Sequence, residues 1–262
     1  MTMFERLGFK WDRNAVPAGK TTSVERAVFR YKQSLAEFVY DASALEGNPF
    51  TYPEVQTLME GVTVGGRKLS DQQQVQNLAD AAKELFVLVK GNAFDLSKPV
   101  SDSLHKNIAK EEALEWGHFR GEGDEITMTP NVGLGAHGRH VPLDTLKGAP
   151  ELNHVYQEGV AALKDDVAEP QERALAYFLF GALQQFYFDG NKRTARFMMN
   201  GVLMSNGLDA ISISATRLQD FNEKMVRFYT AKDATEMMGF LIECQPKDAP
   251  TPKPATFSSP SM

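Results

Sequence analysis

The chain has 262 residues, 42% of them hydrophobic and 24% charged, with a formal net charge of −6. That is enough chain to bury a sizeable core, and the acidic balance excludes a general electrostatic attraction to nucleic acid or to an anionic membrane surface. A single cysteine, Cys244, excludes an intrachain disulfide and a cysteine-based zinc finger.

The N-terminal MTMFERLGFKWDRN has charges where a secretory leader needs an apolar run. TTSVERAVFRYKQSLAEFVYDAS reads as one long helix. Thr22 and Glu25 fit a capping box. Val24, Ala27, Val28, Tyr31, Leu35, Phe38 and Val39 follow a helical stripe, and Gly47 and Pro49 stop it near Glu46. A second capping box, Thr51 to Glu54, opens a short helix that ends before Gly61. GVTVGGRKLS is a loop, Asp71 to about Lys90 is helical, and residues 101–117 read as a further helix.

From 121 to 150 the character changes. Glycines, turn residues and a β-prone ITMT piece predict a hairpin or flap. Helices resume over 150–164, 170–186 and 192–205, the last capped by Asn206-Gly207. RLQDFNEKMVRFY and DATEMMGFLIEC complete the helical set. The longest apolar run, ALAYFLFGAL, is too short to span a bilayer and reads as a buried helix. PKDAPTPKPATFSSPSM is rich in Pro and Ser with little to bury, so a disordered tail is expected. These signals predict a mainly α protein of the cytosol. The expected division is an N-terminal helical region over 1–75, a core over 76–245 and a tail over 246–262.

The charges look misplaced in two places. In QQFYFDGNKRTARFMMN, the bases Lys192, Arg193 and Arg196 follow the turn Asp189-Gly190-Asn191 and stand at the start of a helix, where acids are preferred. Free N–H groups of that helix, together with the bases, make an anion site, and a phosphate would offset the conflict with the dipole. Asp189 stands beside the same turn, and one carboxylate plus ligand phosphates is the usual way to hold Mg²⁺. The alternative is a common surface turn with solvated bases. The second place is Glu46, an acid at the C-terminal end of the first long helix.

The turn resembles the signature of the Fic domain family, His-x-Phe-x-(Asp/Glu)-Gly-Asn-Gly-Arg-x-x-Arg. It matches at Asp189, Gly190, Asn191, Arg193 and Arg196. The resemblance implies a Fic-type helical bundle with a β-hairpin flap, and transfer of AMP from Mg-ATP to a Ser, Thr or Tyr hydroxyl of a protein partner. By the same resemblance, Asp189 holds Mg²⁺. Gly190, Asn191, Lys192 and Arg193 cradle the nucleotide phosphates, and Arg196 binds the γ-phosphate. The stretch Ala42-Ser43-Ala44-Leu45-Glu46-Gly47 resembles the inhibitory element (Ser/Thr)-x-x-x-Glu-(Gly/Asn) that precedes many Fic cores. Ala42 departs from its first position. The likeness makes 24–46 an inhibitory helix whose Glu46 pairs with Arg196. A homodimer stays open.

Three positions depart from the signature. Tyr187 replaces phenylalanine. Lys192 replaces the second glycine, as in the Doc branch of the family, which transfers phosphate instead of AMP. Gln185 stands where the family has its catalytic histidine, and a neutral amide cannot accept the proton of an attacking hydroxyl. That leaves several readings open: an impaired transferase, a nucleotide-binding pseudoenzyme or regulatory module, or a chain that uses another base. His137 and His140 in the expected flap are the candidate substitutes. Their His-x-x-His spacing without further ligands is a poor metal site, so no zinc is expected.

Overall fold

The computed structural model describes residues 1–246; the expected tail falls almost wholly outside the described residues. The described chain is helical with one small hairpin, the mainly α bundle expected of the sequence. In order the helices are α1 (Met3–Leu7), α2 (Val24–Gln33), α3 (Leu35–Ala44), α4 (Tyr52–Met59), α5 (Leu69–Lys90), α6 (Lys98–Ile108), α7 (Pro150–Asp166), α8 (Pro170–Gln184), α9 (Asn191–Ser205), α10 (Leu218–Ala231) and α11 (Thr235–Glu243). Strands β1 (Val132–Gly133) and β2 (Arg139–His140) pair antiparallel, with Val132 opposite His140.

Helices α8 and α9 form the centre. Almost every residue of α8 from Ala174 to Leu183 is buried, as its continuous apolar run requires. Gly181 lets α9 come close: a β-carbon there would lie 2.9 Å from that of Ala195. Helices α5 and α6 pack on α9 from one side, and α2 and α3 lie across α5 and α9. The expected division after residue 75 falls inside α5. No helix among the described residues is long and apolar enough to cross a membrane.

Several local expectations are corrected. The long helix is interrupted at Ser34 (φ −102, ψ 16), whose hydroxyl donates to Arg30 O at 3.1 Å, although the apolar stripe continues across the break. Its N-cap is Ser23. Thr22 is spent on Gly207 O, which accepts from both its N–H (2.7 Å) and its hydroxyl (2.9 Å). The helix expected over 101–117 ends at Ile108. Beyond it, side chains replace the helical ladder: Asn77 Nδ2 donates to Lys110 O at 2.8 Å, and Gly117 N donates to His105 Nδ1 at 3.0 Å.

The ITMT piece is not a strand. The N–H groups of Thr127 and Met128 donate to the Glu125 carboxylate at 2.6 and 2.8 Å, and the hairpin forms further on. At the other end of the chain, helix α1 has a reciprocal Thr2–Glu5 capping box that the sequence reading missed. The segment after it buries Phe9 and Trp11, and Trp11 Nε1 donates to Glu172 at 2.8 Å.

Candidate functional site

Helix α8 runs into the turn through Gln185, whose backbone is left-handed (φ 51, ψ 59). The turn is framed from within. Asn191 Oδ1 accepts from Tyr187 N at 2.9 Å, and its Nδ2 donates to Tyr187 O at 2.8 Å and to Gln185 Oε1 at 3.1 Å. Gly190 is also left-handed (φ 70), and a β-carbon there would press on Ala109 at 3.3 Å and on the His105 ring at 3.5 Å. From below, the buried His105 ring stacks on Tyr187 (centroids 3.7 Å apart) and its Nε2 donates to Asp189 O at 3.0 Å. Gly117 N occupies Nδ1, which fixes that tautomer. Burial pushes the His105 pKa down to about 3, so it packs as a neutral ring.

Helix α9 starts on this frame, and Arg193 and Arg196 descend from its first turns into the interior, 3% and 5% exposed. Each meets a carboxylate from another part of the chain. Arg193 Nη1 donates to Glu112 at 2.6 Å, with Asp189 at 3.5 Å from its Nη2. Arg196 Nη2 donates to Glu46 Oε1 at 3.1 Å. Burial works against the charge of Glu46, but Arg196, Lys192 and Arg193 hold its carboxyl below the ordinary value. Burial likewise opposes the Arg193 charge, and Glu46, Glu112 and Asp189 outweigh it. For Arg196 burial wins over Glu46 and lowers the pKa, from a value so high that the group stays charged. Arg193 Nε and Arg196 Nε and Nη1 are buried and have no hydrogen-bond partner.

Above the turn lies a cleft of about 330 Å³. Gln185, Asp189, Gly190, Asn191, Lys192 and Arg193 form one wall, Pro130–Gly133 of the flap form another, and Glu46 closes the side. Seven of the residues singled out in the sequence, Glu46, Gln185, Asp189, Gly190, Asn191, Lys192 and Arg193, line it; Arg196 reaches it through Glu46, and Tyr187, His137 and His140 do not line it. The Asp189 side chain is 62% exposed at the mouth, with Oδ1 taking the N–H of Gly190 at 2.6 Å.

Gln185 is buried, and both ends of its amide are engaged. Nε2 donates to Ala182 O at 2.6 Å and Oε1 accepts from Asn191. Neither flap histidine lines the cleft. His137 is exposed. His140 Nε2 bonds Leu183 O at 2.7 Å, its ring lies against Tyr229, and Lys232 approaches Nδ1 at 3.3 Å. The reading of His140 as a substitute base is therefore corrected: its ring belongs to the packing of the flap on α8.

Sequence reasoning missed three residues. His105 and Glu112 lie in a stretch read as one continuous helix, which hid both. Arg120 is fully buried and donates to Gln185 O at 2.7 Å, Thr145 Oγ1 at 2.8 Å and Leu143 O at 2.6 Å, tying the flap to the helix end. Burial lowers its pKa to about 10. Only the charge of Arg120 inside a glycine-rich segment was a signal.

No protein-family model matches the chain. It is 24% identical over 227 residues to a protein adenylyltransferase Fic of Nematostella vectensis, covering 84% of this chain and 49% of that protein. To a protein adenylyltransferase Fic of Aedes aegypti it is 22% identical over 244 residues, covering 92% and 46%. The chain spans about half the length of these curated relatives. Among solved structures, a Fic family protein of Desulfovibrio desulfuricans superposes with a TM-score of 0.64 at 16% identity, over 84% of this chain and 69% of that one. A Fic-domain-containing signaling protein of Bacteroides thetaiotaomicron superposes with a TM-score of 0.66 at 15% identity, over 92% and 91%. The chain thus shares the fold of these Fic proteins along most of its length, and the curated proteins it is similar to are named as Fic adenylyltransferases.

Proposed function

We propose that the chain is a Fic-type protein that binds Mg-ATP in the cleft above the 185–193 turn, that Glu46 holds this site in check, and that transfer of AMP to a protein hydroxyl is impaired at Gln185. The observation that carries the reading is a pair of buried arginines with unspent N–H donors at a helix N-terminus. Buried guanidinium donors are costly without partners, and phosphate oxygens supply them with matching geometry. The first-turn N–H groups of α9 add to the same anion site.

In this reading Lys192, Arg193 and the turn from Gly190 take the α- and β-phosphates, and Asn191 holds that turn in shape. Arg196 takes the γ-phosphate once Glu46 leaves it. Asp189, exposed at the mouth, fits a single-carboxylate Mg²⁺ site completed by phosphates. No cluster of three or more His, Cys, Asp or Glu able to hold a metal occurs among the described residues, so the ion would arrive with the nucleotide. Mg²⁺ would neutralise phosphate charge and orient the chain of phosphates. An attacking hydroxyl must lose its proton, and the Gln185 amide has no proton-accepting group. Loss of such a base typically costs about 10²- to 10⁴-fold.

The engagement of both ends of the Gln185 amide favours a second reading, a nucleotide-binding module without transfer. Intact-mass measurement after incubation with Mg-ATP and candidate protein acceptors separates the two. An AMP adduct supports the transferase, nucleotide binding without an adduct supports the module, and absence of nucleotide binding refutes both.

A further inference from the structure

Glu112 lies outside the signature turn and outside the end of α3, yet it is joined to both. Its Oε2 accepts from Arg193 Nη1 at 2.6 Å and from Gln74 Nε2 at 2.9 Å, and its Oε1 accepts from Asn77 Nδ2 at 3.1 Å. Gln74, on α5, accepts at Oε1 the side-chain amide of Asn48 at 2.9 Å. Asn48 is buried two residues beyond Glu46, and its own N–H donates to Ser43 O at 3.2 Å, which fastens it to the end of α3. An unbroken run of side-chain bonds therefore leads from Arg193 to the turn whose Glu46 grips Arg196.

The polarity of each link is determined by the one before. Arg193 only donates, so the group facing it is the Glu112 carboxylate. That carboxylate only accepts, so Gln74 presents its NH₂ to it. The Gln74 oxygen then faces the NH₂ of Asn48. Turning the Gln74 amide over would break two bonds at once. Bonds in such a chain polarise one another, so the loss of one weakens its neighbours.

The geometry points to Glu112 as a positioning residue for Arg193, and to Glu112, Gln74 and Asn48 as the coupling that makes the release of Arg193 and the release of Arg196 one event. This rests on the cleft being a phosphate site. A phosphate that draws Arg193 away leaves Glu112 short of a donor beside Gln74. When Glu112 moves to recover one, it pulls on Gln74 and Asn48 and so on the Glu46 turn. A nucleotide lacking the γ-phosphate would thus already loosen the hold on Arg196.

Two measurements test the coupling. The first uses no nucleotide: amide hydrogen exchange of residues 43–49, read by mass spectrometry in the parent, Glu112→Gln and Gln74→Ala. Severalfold faster exchange in both variants is expected, and parent-like exchange in both overturns the coupling. The second is a double-mutant cycle of Glu46→Gly and Gln74→Ala on ADP affinity by calorimetry. The effect of Glu46→Gly should differ at least about threefold with and without Gln74, which a merely structural role of Gln74 would not produce; equal effects overturn the proposal. If no member of the cycle binds ADP, the phosphate reading fails, and the exchange result by itself decides the coupling.

Discussion

Arg196 donates from Nη2 to Glu46 Oε1 at 3.1 Å, joining two residues 150 positions apart, one just past the C-terminal end of α3 and the other in the second turn of α9. While the pair is closed, that donor cannot serve a γ-phosphate, and the carboxylate repels one. Glu46→Gly should therefore raise ATP affinity selectively over ADP, by about 1 to 3 kcal/mol. Calorimetry at matched salt and Mg²⁺ measures it, and an unchanged ATP-to-ADP ratio would leave Glu46 as an ordinary helix-end residue.

Arg193→Ala removes one of the two buried guanidiniums of α9 and frees Glu112. Affinity for both ATP and ADP should fall about tenfold or more, because charge-assisted bonds to phosphate are lost and an unpaired acid remains nearby. Equal affinity in variant and parent would remove the assignment of the cleft.

Gln185→His tests the chemistry. The left-handed backbone at 185 is one that histidine tolerates better than most residues. If only the base is missing, transfer should rise by about 10²- to 10⁴-fold, or roughly 3 to 5 kcal/mol of barrier. The adduct mass also shows which group moves: AMP marks the adenylylating orientation, and phosphate the orientation suggested by Lys192. A variant with no adduct of either kind would favour the binding module.

His105 makes stability depend on pH. Its pKa, about 3 when folded, lies below the ordinary 6.5, so the folded state binds fewer protons between those values. The contribution is complete above pH 6.5 and is lost as pH falls toward 3, at about 1.4 kcal/mol per unit. From pH 7 to 5 it amounts to about 2 kcal/mol. Urea titrations of the parent and His105→Gln across that range should show a shallower dependence in the variant, and identical slopes would contradict a neutral buried ring.

The helices and the signature turn were legible because each rests on short-range chemistry. The apolar run of α8 predicts its burial, the Thr51–Glu54 box forms as read, and the bases after Asp189-Gly190-Asn191 do begin α9. Partners distant in sequence were not legible. Thr22 gives up its capping role to bind Gly207, and Ser34 bonds back to Arg30, neither of which periodicity records. Glu112 was hidden because a helical pattern continues past Ile108, while tertiary bonds from Asn77 and His105 end the helix there. The Thr2–Glu5 box was legible by the same rule that identified Thr51–Glu54.

The buried guanidinium of Arg120 holds Gln185 O with one nitrogen and Leu143 O and Thr145 Oγ1 with the other two. The root of the flap and the backbone at position 185 thus share a single datum. The flap's root therefore keeps a set distance from the place where a proton would be taken. A polypeptide laid along that root would have its side chains gauged against position 185 as against a ruler. Acceptor choice would then depend on reach along the strand as well as on the identity of the hydroxyl.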